Sequence, residues 1–214
     1  MHMLNIPIKK EPVDAIGLAL RWSYEYRDDV KSCVSVEHLM KYRELFEFDF
    51  INACEWLVET RRHIPTRKVL VHHDMNAANF MIQHDTRRIY FLDFEFSAYG
   101  SRGHDLGNHF NQRMFDVRNL KTFLSEPYRE YPTEAERRAF ISEYLQETKR
   151  LTANDVRFGF DENGLDSIDN VLMDADFGSL IFAILFSIWF IRDYENLVKL
   201  EFVEAFFVSF RDFS

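Results

Sequence analysis

Apolar residues recur at helical spacing on both sides of a short central segment. Between residues 36 and 62 they follow one another at steps of three and four, the period of an amphipathic helix. A capping-box pattern, Thr133 with Glu136 three residues later, marks the start of another helix. The pattern predicts helices over residues 11–29, 36–62, about 133–149, 167–192 and 199–212.

The central segment has a different pattern. Three short runs rich in β-branched and aromatic residues, KVLVHH, FMIQ and RRIYFLDFEF, follow one another between Lys68 and Phe96. Runs of this composition and length predict strands. After them, Gly100, Gly103 and Gly107 indicate a loop, and residues 105–115 a short helix. The sequence therefore predicts an α+β protein that is mostly helical, with a small β-hairpin patch.

Length, charge and cysteine content narrow the class of protein. The 214 residues are 47% hydrophobic, enough for one domain with a buried core. The net charge of -9 would repel a phosphate backbone and argues against nucleic-acid binding. Cys33 and Cys54 cannot form a disulfide framework, so we expect a cytoplasmic protein, and no secretory signal is visible. The uncharged run over residues 177–191 is shorter than the roughly 20 residues of a membrane span, which favours a core helix and no span.

Candidate chemistry lies in the stretch VHHDMNAANF, residues 71–80, and in the hairpin after it. If a three-residue turn at residues 85–87 joins the strands, Asn79 lies opposite Asp93. An amide and a carboxylate side by side offer the oxygen ligands that Mg²⁺ prefers. Asp74, then Asn79, then Asp93 before Phe94 follow the order of kinase catalytic and metal loops. A polar hairpin with turn bonds alone is the weaker alternative once the second aspartate is included.

Three stretches resemble the choline/ethanolamine kinase family: MHMLNIPIKKEP, HHDMNAANFMI and IYFLDFEFSAYGSRGHDLGNHF. The family patterns for the second and third are H-N-D-x-x-x-x-N, I-D-F-E-Y and R-G-F-D-I-G-N-H-F. The resemblance covers the whole chain. It implies that residues 1–214 form a protein-kinase-like C-terminal lobe, and that the N-terminal nucleotide-binding lobe is absent. None of the seven glycines forms a G-x-G-x-x-G phosphate loop.

The resemblance also implies roles for individual residues. Asp74 would be the catalytic base toward the substrate hydroxyl. Asn79, Asp93 and Glu95 would hold Mg²⁺, and ATP would be the phosphate donor, contacted by Asn76 and Asp93. The residues implied to support the catalytic loop are His72, Asp105, Asn108 and His109. A further residue, at position 73, is histidine where the family has asparagine, and is interpreted as a variant loop residue.

The substrate side departs from the family pattern. A quaternary ammonium is held by aromatic faces and a carboxylate. The corresponding positions of this chain are Gln112, Val117, Ala183, Phe186 and Phe202. Glutamine in place of the cage glutamate removes charge pairing and should weaken choline binding, whereas ethanolamine can donate hydrogen bonds to Gln112. Phe186 is the aromatic residue retained; Trp189, one helical turn later, could share its face, although core packing explains both.

Three functional hypotheses follow. The first is ATP-dependent phosphorylation of choline or ethanolamine, as in phosphatidylcholine and phosphatidylethanolamine synthesis. The second is a catalytically impaired pseudokinase lobe that acts as a binding or regulatory partner. A metal-dependent phosphohydrolase ranks last. Four arginines near the motifs could neutralise phosphate charge, although surface solvation is their commoner role: Arg87, Arg88, Arg102 and Arg113. Loss of the other lobe would expose apolar surface around residues 69–71 and Phe91, so a homo- or heterodimer is expected.

Overall fold

The computed structural model describes residues 1–7, 15–26, 35–41, 43–114, 131–155 and 158–192. Its helices are α1 (Ala15–Tyr26), α2 (Val36–Lys41), α3 (Arg43–Glu47), α4 (Phe50–Arg61), α5 (Arg102–Asn111), α6 (Glu134–Thr152) and α7 (Ile168–Arg192). Its strands are β1 (Lys68–Val71), β2 (Phe80–Ile82), β3 (Ile89–Phe91) and β4 (Ala98–Ser101), and short 3₁₀ helices span Ala77–Asn79 and Gln112–Met114. The helix predicted over residues 199–212, together with Cys33, Val117 and Phe202, lies outside the described residues.

The helix predicted over residues 36–62 is interrupted at Phe48 and Asp49. Asp49 begins the helix again, because its carboxylate accepts a hydrogen bond from the Asn52 N–H at 2.9 Å and so caps α4. The predicted start of α6 is confirmed: Thr133 and Glu136 form both bonds of the capping box. Local signals therefore determine where these two helices begin.

The strands form two separate antiparallel pairs. β1 pairs with β4, which places Val69 opposite Gly100. β4 was not predicted, since its glycine lies in a stretch with the composition of a loop. β1 is covered, with Val69, Leu70 and Val71 at most 3% exposed, so the prediction of apolar exposure there is wrong.

β2 pairs with β3 in a register that differs from the predicted one. Phe80 lies opposite Phe91, and the Leu92 N–H donates to the Asn79 carbonyl at 2.9 Å, so Asn79 faces Leu92. The prediction that Asn79 faces Asp93 is wrong by one residue. The physical reason is the turn, which has four residues rather than three and ends at Arg87 in the left-handed conformation, φ 57°.

α7 is the central helix, in contact with α1, α4, α5 and α6. The helical stretch over residues 168–189 is long and apolar enough to cross a membrane, with a mean hydropathy of 1.9. However, 72% of its most apolar 18-residue segment is buried inside the structure. That burial favours the core-helix interpretation. Apolar residues of α1, α4 and α7 form one core cluster, and those of α5, α6 and α7 form a second.

Glycines allow the backbones of α5 and α7 to touch where the two helices cross. A Cβ at Gly107 would lie 2.2 Å from the Ser179 nitrogen, and one at Gly178 would lie 2.0 Å from the Gly103 oxygen. Neither distance can accommodate a methyl group. Beside this crossing, the buried Asp174 carboxylate accepts hydrogen bonds from the Thr66 and Ser101 hydroxyls at 2.6 and 2.7 Å. These contacts fix α5 against both α7 and the β1–β4 pair.

Candidate active site

The loop after β1 is fixed by one buried carboxylate. Asp105, in the first turn of α5, accepts hydrogen bonds from the His72 N–H at 2.7 Å and the His73 N–H at 2.9 Å. The ring of His2, from the N-terminal segment, lies 3.0 Å from the same carboxylate. Burial raises the pKa of Asp105, but these bonds and the nearby His2 charge outweigh it and hold the pKa below the ordinary value. Asp105 is therefore ionised at neutral pH and lies where a loop-supporting role requires it.

His72 connects this loop to the hairpin. Its ring is fully buried, and Nε2 lies 2.8 Å from the Leu92 carbonyl oxygen. The ring of Phe94 lies against it, with 5.1 Å between the ring centroids. Since Leu92 and Phe94 flank Asp93, His72 positions the segment that carries the second aspartate.

Two asparagines orient Asp74 inside the loop. Asn76 Nδ2 donates to Asp74 Oδ1 at 2.8 Å, and Asn79 Nδ2 donates to Asp74 Oδ2 at 2.7 Å. Asn76 also accepts from the Ala78 N–H at 2.9 Å, which caps the short 3₁₀ helix. Both polar groups of Asn76 are thus used within the loop, whereas the resemblance assigned it to the nucleotide. The five-residue spacing of Asp74 and Asn79 does bring their side chains into contact.

Asp93 and Glu95 lie on the exposed segment after β3. Asp93 has a left-handed backbone, φ 60°, which turns the chain out of the strand directly after Leu92. Strand alternation therefore cannot indicate on which face the Asp93 side chain lies relative to Asn79.

The oxygen atoms of Asn79, Asp93 and Glu95 are ligands of the kind that suits Mg²⁺. Because Asn79 Nδ2 donates to Asp74, the amide oxygen is the atom left to act as a ligand, and Asp93 and Glu95 would add carboxylate oxygens. Within the described ranges, no three or more His, Cys, Asp or Glu residues are grouped so that they could hold a metal ion. An ion at this site would therefore take few protein ligands and complete its shell with water or phosphate, as Mg²⁺ commonly does.

The arginines near the motifs have other partners or lie elsewhere. Arg102 is buried and donates to Asp166 at 2.5 Å, and Arg113 pairs with Glu136 at 2.9 Å. Arg87 ends the hairpin turn and Arg88 follows it, and both are exposed at the opposite end of the β2–β3 ladder from Asn79. Of these side chains, Arg102 and Arg113 are thus neutralised by carboxylates of the chain itself.

The predicted support residues on α5 divide into two groups. Asp105 contacts the loop, but Asn108 is buried and its amide oxygen accepts from Gln112 Nε2 at 3.1 Å. His109 stacks on Phe140 of α6, with 4.9 Å between ring centroids at 30°. The described ring contacts of His109 are therefore with Phe140 and with its neighbour Phe110, and none of them is with the loop after β1.

On the substrate side, Phe186 lies in a short aromatic row on α7. Its ring stacks on Phe182 at 4.9 Å and lies 5.9 Å from Trp189, which is 45% exposed. Phe186 and Trp189 share a helix face, as their spacing indicated. Gln112 begins a 3₁₀ helix at the end of α5.

Sequence reasoning missed His2, Tyr144 and His104. His2 contacts the Tyr144 hydroxyl at 3.0 Å as well as Asp105, more than one hundred positions from either. No local spacing indicates a contact over that separation. His104 lies edge-on to His73, at 4.6 Å between ring centroids.

Comparisons with known proteins show the family of this chain. The sequence model of the choline/ethanolamine kinase family matches residues 1–212. This chain belongs to the choline/ethanolamine kinase family. Members similar to it include the probable ethanolamine kinase of Arabidopsis thaliana, 26% identical over 99% of this chain and 51% of the relative. Another is the choline/ethanolamine kinase of Homo sapiens, 27% identical over 70% of this chain and 38% of the relative.

Solved structures of choline and ethanolamine kinases share the fold. The choline kinase of Cryptosporidium parvum superposes with a TM-score of 0.61 at 21% identity, over 98% of this chain and 58% of the other. The ethanolamine kinase of Plasmodium vivax gives 0.62 at 18% identity, over 95% and 50%. The protein-kinase-like fold is therefore confirmed. The chain spans about half the length of the curated relatives that cover most of it.

Proposed function

We propose that this chain carries the catalytic and metal loops of a choline/ethanolamine kinase-type phosphotransferase. The reaction would transfer the terminal phosphate of ATP to the hydroxyl of choline or ethanolamine, in the synthesis of phosphatidylcholine or phosphatidylethanolamine. The observation that carries this proposal is the Asp74 carboxylate, held on both oxygens by asparagine amides in a loop fixed by Asp105. The low cysteine content supports a cytoplasmic location.

In this proposal Asp74 is the general base. The amides of Asn76 and Asn79 fix its rotamer and leave lone pairs on each oxygen, so the carboxylate can accept a proton from a substrate hydroxyl within hydrogen-bond reach. Asn79, Asp93 and Glu95 would hold Mg²⁺, which when bound neutralises phosphate charge. The hydrogen bonds of Asp105 keep the loop in one geometry, which lowers the cost of orienting the reactants.

Two of the arginines near the motifs are already paired with carboxylates. This supports the proposal that other cationic groups bind the phosphates of ATP. Arg102 and Arg113 are paired with Asp166 and Glu136, and phosphoryl transfer needs cationic neutralisation. We therefore place the main contacts with the ATP phosphates on a further lobe or chain.

The test is phosphate transfer from ATP to choline and to ethanolamine, with Asp74→Asn as the variant. We expect Asp74→Asn to lower kcat at least about a hundredfold, the usual contribution of a general base. Asp85→Asn, an exposed carboxylate in the hairpin turn, is the matched control and should leave kcat unchanged. Equal activity of wild type and Asp74→Asn would refute the assignment of the base.

A second candidate is a pseudokinase lobe that serves as a binding or regulatory partner, as a homo- or heterodimer. The observation that favours it is the exposed apolar hairpin, where Ile82 is 62% and Ile89 60% exposed. Calorimetric titration separates the candidates. Binding of Mg-ATP that is lost in Asp93→Ala supports the kinase, whereas no nucleotide binding by a cooperatively folded chain supports the pseudokinase.

A further inference from the structure

The buried His104 and the partly buried His73 meet beneath the loop that carries Asp74. The rings of His73 and His104 are perpendicular, at 86° and 4.6 Å between centroids, so the edge of one ring lies on the face of the other. His73 immediately precedes Asp74 and has a left-handed backbone, φ 67°. Such a conformation is strained for a residue other than glycine and persists where the surroundings hold it. His73 is held by its N–H bond to Asp105 and by the His104 ring.

The surroundings of the two rings offer a charged imidazole little contact with water and few hydrogen-bond partners. His104 is 6% exposed, and His73 Nε2 is buried with no hydrogen-bond partner among the described residues. The nearest titratable groups are His2, His72, Asp105 and, on α7 against the Gly103 N–H, Asp174. Asp105 favours protonation of the pair, but it already accepts from His2 and two backbone N–H groups.

Burial decides the protonation state of both rings. Burial lowers the pKa of His104 to about 3, a direction that the nearby His73 reinforces and Asp105 opposes. Burial likewise lowers the pKa of His73, with Asp105 again opposing. Both rings are neutral at pH 7, and an open loop, in which they regain an ordinary pKa near 6.5, binds more protons than the closed one. Lower pH therefore favours opening.

We infer that His104 is a positioning residue that acts through His73 on the loop carrying Asp74, and that protonation of this histidine pair opens the loop. The inference rests on the proposed function only in naming Asp74 as the catalytic group. The opening itself is a property of the fold. It makes the active conformation of the loop acid-sensitive below about pH 6.5.

Hydrogen exchange measured by mass spectrometry tests this inference. Protection of the amides of residues 72–80, corrected for the intrinsic pH dependence of exchange, is compared at pH 7.5 and 5.5, with residues 134–152 as reference for global unfolding. The opening equilibrium should rise about tenfold for each histidine that regains its ordinary pKa. His104→Phe, which keeps an aromatic ring and removes the titration, should reduce that rise about tenfold.

The matched control is His109→Phe. His109 lies on the same helix and burial also lowers its pKa, but it stacks on Phe140. This variant should leave the pH response of residues 72–80 unchanged. If His104→Phe does not fold, His73→Asn replaces it, because asparagine tolerates the left-handed backbone.

Two results would overturn the inference. One is an unchanged pH response of the loop in His104→Phe or, where that variant does not fold, in His73→Asn. The other is a His104 ring signal in the NMR spectrum that titrates near pH 6.5 in the folded protein. Phosphate transfer that Asp74→Asn leaves unchanged would refute the assignment of the base but would leave the exchange result standing.

Discussion

The carboxylate of Asp105 holds a negative charge at the base of the loop after β1, where three donors meet it. In Asp105→Asn, the amide oxygen can accept from only one of the His72 and His73 N–H groups, and the amide nitrogen faces the other. Hydrogen bonds to charged groups contribute about 1.5–3 kcal/mol. We expect a loss of about 3 kcal/mol in the free energy of unfolding, measured with urea at pH 7.5.

Asp85→Asn is again the control, because the Asp85 side chain is 90% exposed. Its free energy of unfolding should change by less than about 0.5 kcal/mol. A loss for Asp105→Asn no larger than that of the control would contradict the role of Asp105 as the anchor of the loop.

From the buried His104 we also predict that the free energy of unfolding depends on pH. Its pKa is lowered to about 3 by burial, below the value near 6.5 of an unfolded histidine, so its contribution is complete above pH 6.5 and is lost as the pH falls. The slope is about 1.4 kcal/mol per pH unit for one such group. Asp105, whose pKa is also lowered, loses its contribution only below about pH 3.8. Between pH 6.5 and 4.5, urea unfolding of His104→Phe should therefore show a slope smaller by about 1.4 kcal/mol per pH unit.

Cys54 reports on the core between α1 and α4. Its side chain is fully buried, and burial raises the pKa of the thiol to about 11. At pH 8 the thiolate share is about a hundredfold below that of an ordinary thiol, so alkylation should be at least that much slower than in the unfolded chain. The measurement uses iodoacetamide on a Cys33→Ser variant, with and without urea. Equal rates in the two conditions would show that this core is open.

At the scale of elements, the crossing of α5 and α7 depends on glycine. A Cβ at Gly107 would lie 2.2 Å from the Ser179 nitrogen, a backbone atom that cannot rotate away. Overpacking of a core typically costs about 1–3 kcal/mol, and we expect Gly107→Ala to reach at least the upper end in thermal or urea unfolding.

Gly159→Asn is the control for Gly107→Ala. Gly159 has φ 57°, and among the described residues no atom beyond its chain neighbours lies within 4 Å of the place that a Cβ would occupy there. Asparagine tolerates that backbone, so the cost should stay below about 1 kcal/mol. Similar losses for both variants would mean that close helix packing is not what Gly107 provides.

Elements with local signals could be predicted from the sequence, and those that depend on distant contacts could not. The start of α6 follows from a capping box of adjacent residues. The register of β2 and β3 depends on a turn whose left-handed residue is Arg87, a type that gives no signal of that conformation. β4 forms only because β1, some thirty residues earlier, pairs with it. The sequence located Asp74 and Asn79 in one loop before the hairpin, whereas the contact of Asp105 with His2 required the whole fold.

At the scale of the molecule, the two strand pairs differ in exposure: apolar side chains are exposed on the β2–β3 hairpin and the segment after it, and not on β1. Side chains between 39% and 62% exposed line this region: Met81, Ile82, Ile89, Tyr90, Leu92, Phe94 and Phe96. The prediction of an uncovered apolar face was therefore wrong for residues 69–71, whereas the hairpin that carries Phe91, the other residue it named, does expose apolar side chains. β1 is buried because it pairs with β4 and packs against α5.

This hairpin surface leads to a prediction for the chain in solution. Monomeric proteins rarely expose contiguous apolar patches above a few hundred Å², because burying them against another chain is favourable. We expect concentration-dependent self-association in light scattering, reduced in the double variant Ile82→Thr and Ile89→Thr. Threonine keeps the β-branched shape that suits a strand, so the hairpin should persist. The control is Val36→Thr with Met40→Thr on α2, where the side chains are 73% and 75% exposed. If both double variants lower the association equally, general surface hydrophobicity is responsible; if neither does, the hairpin face does not drive association.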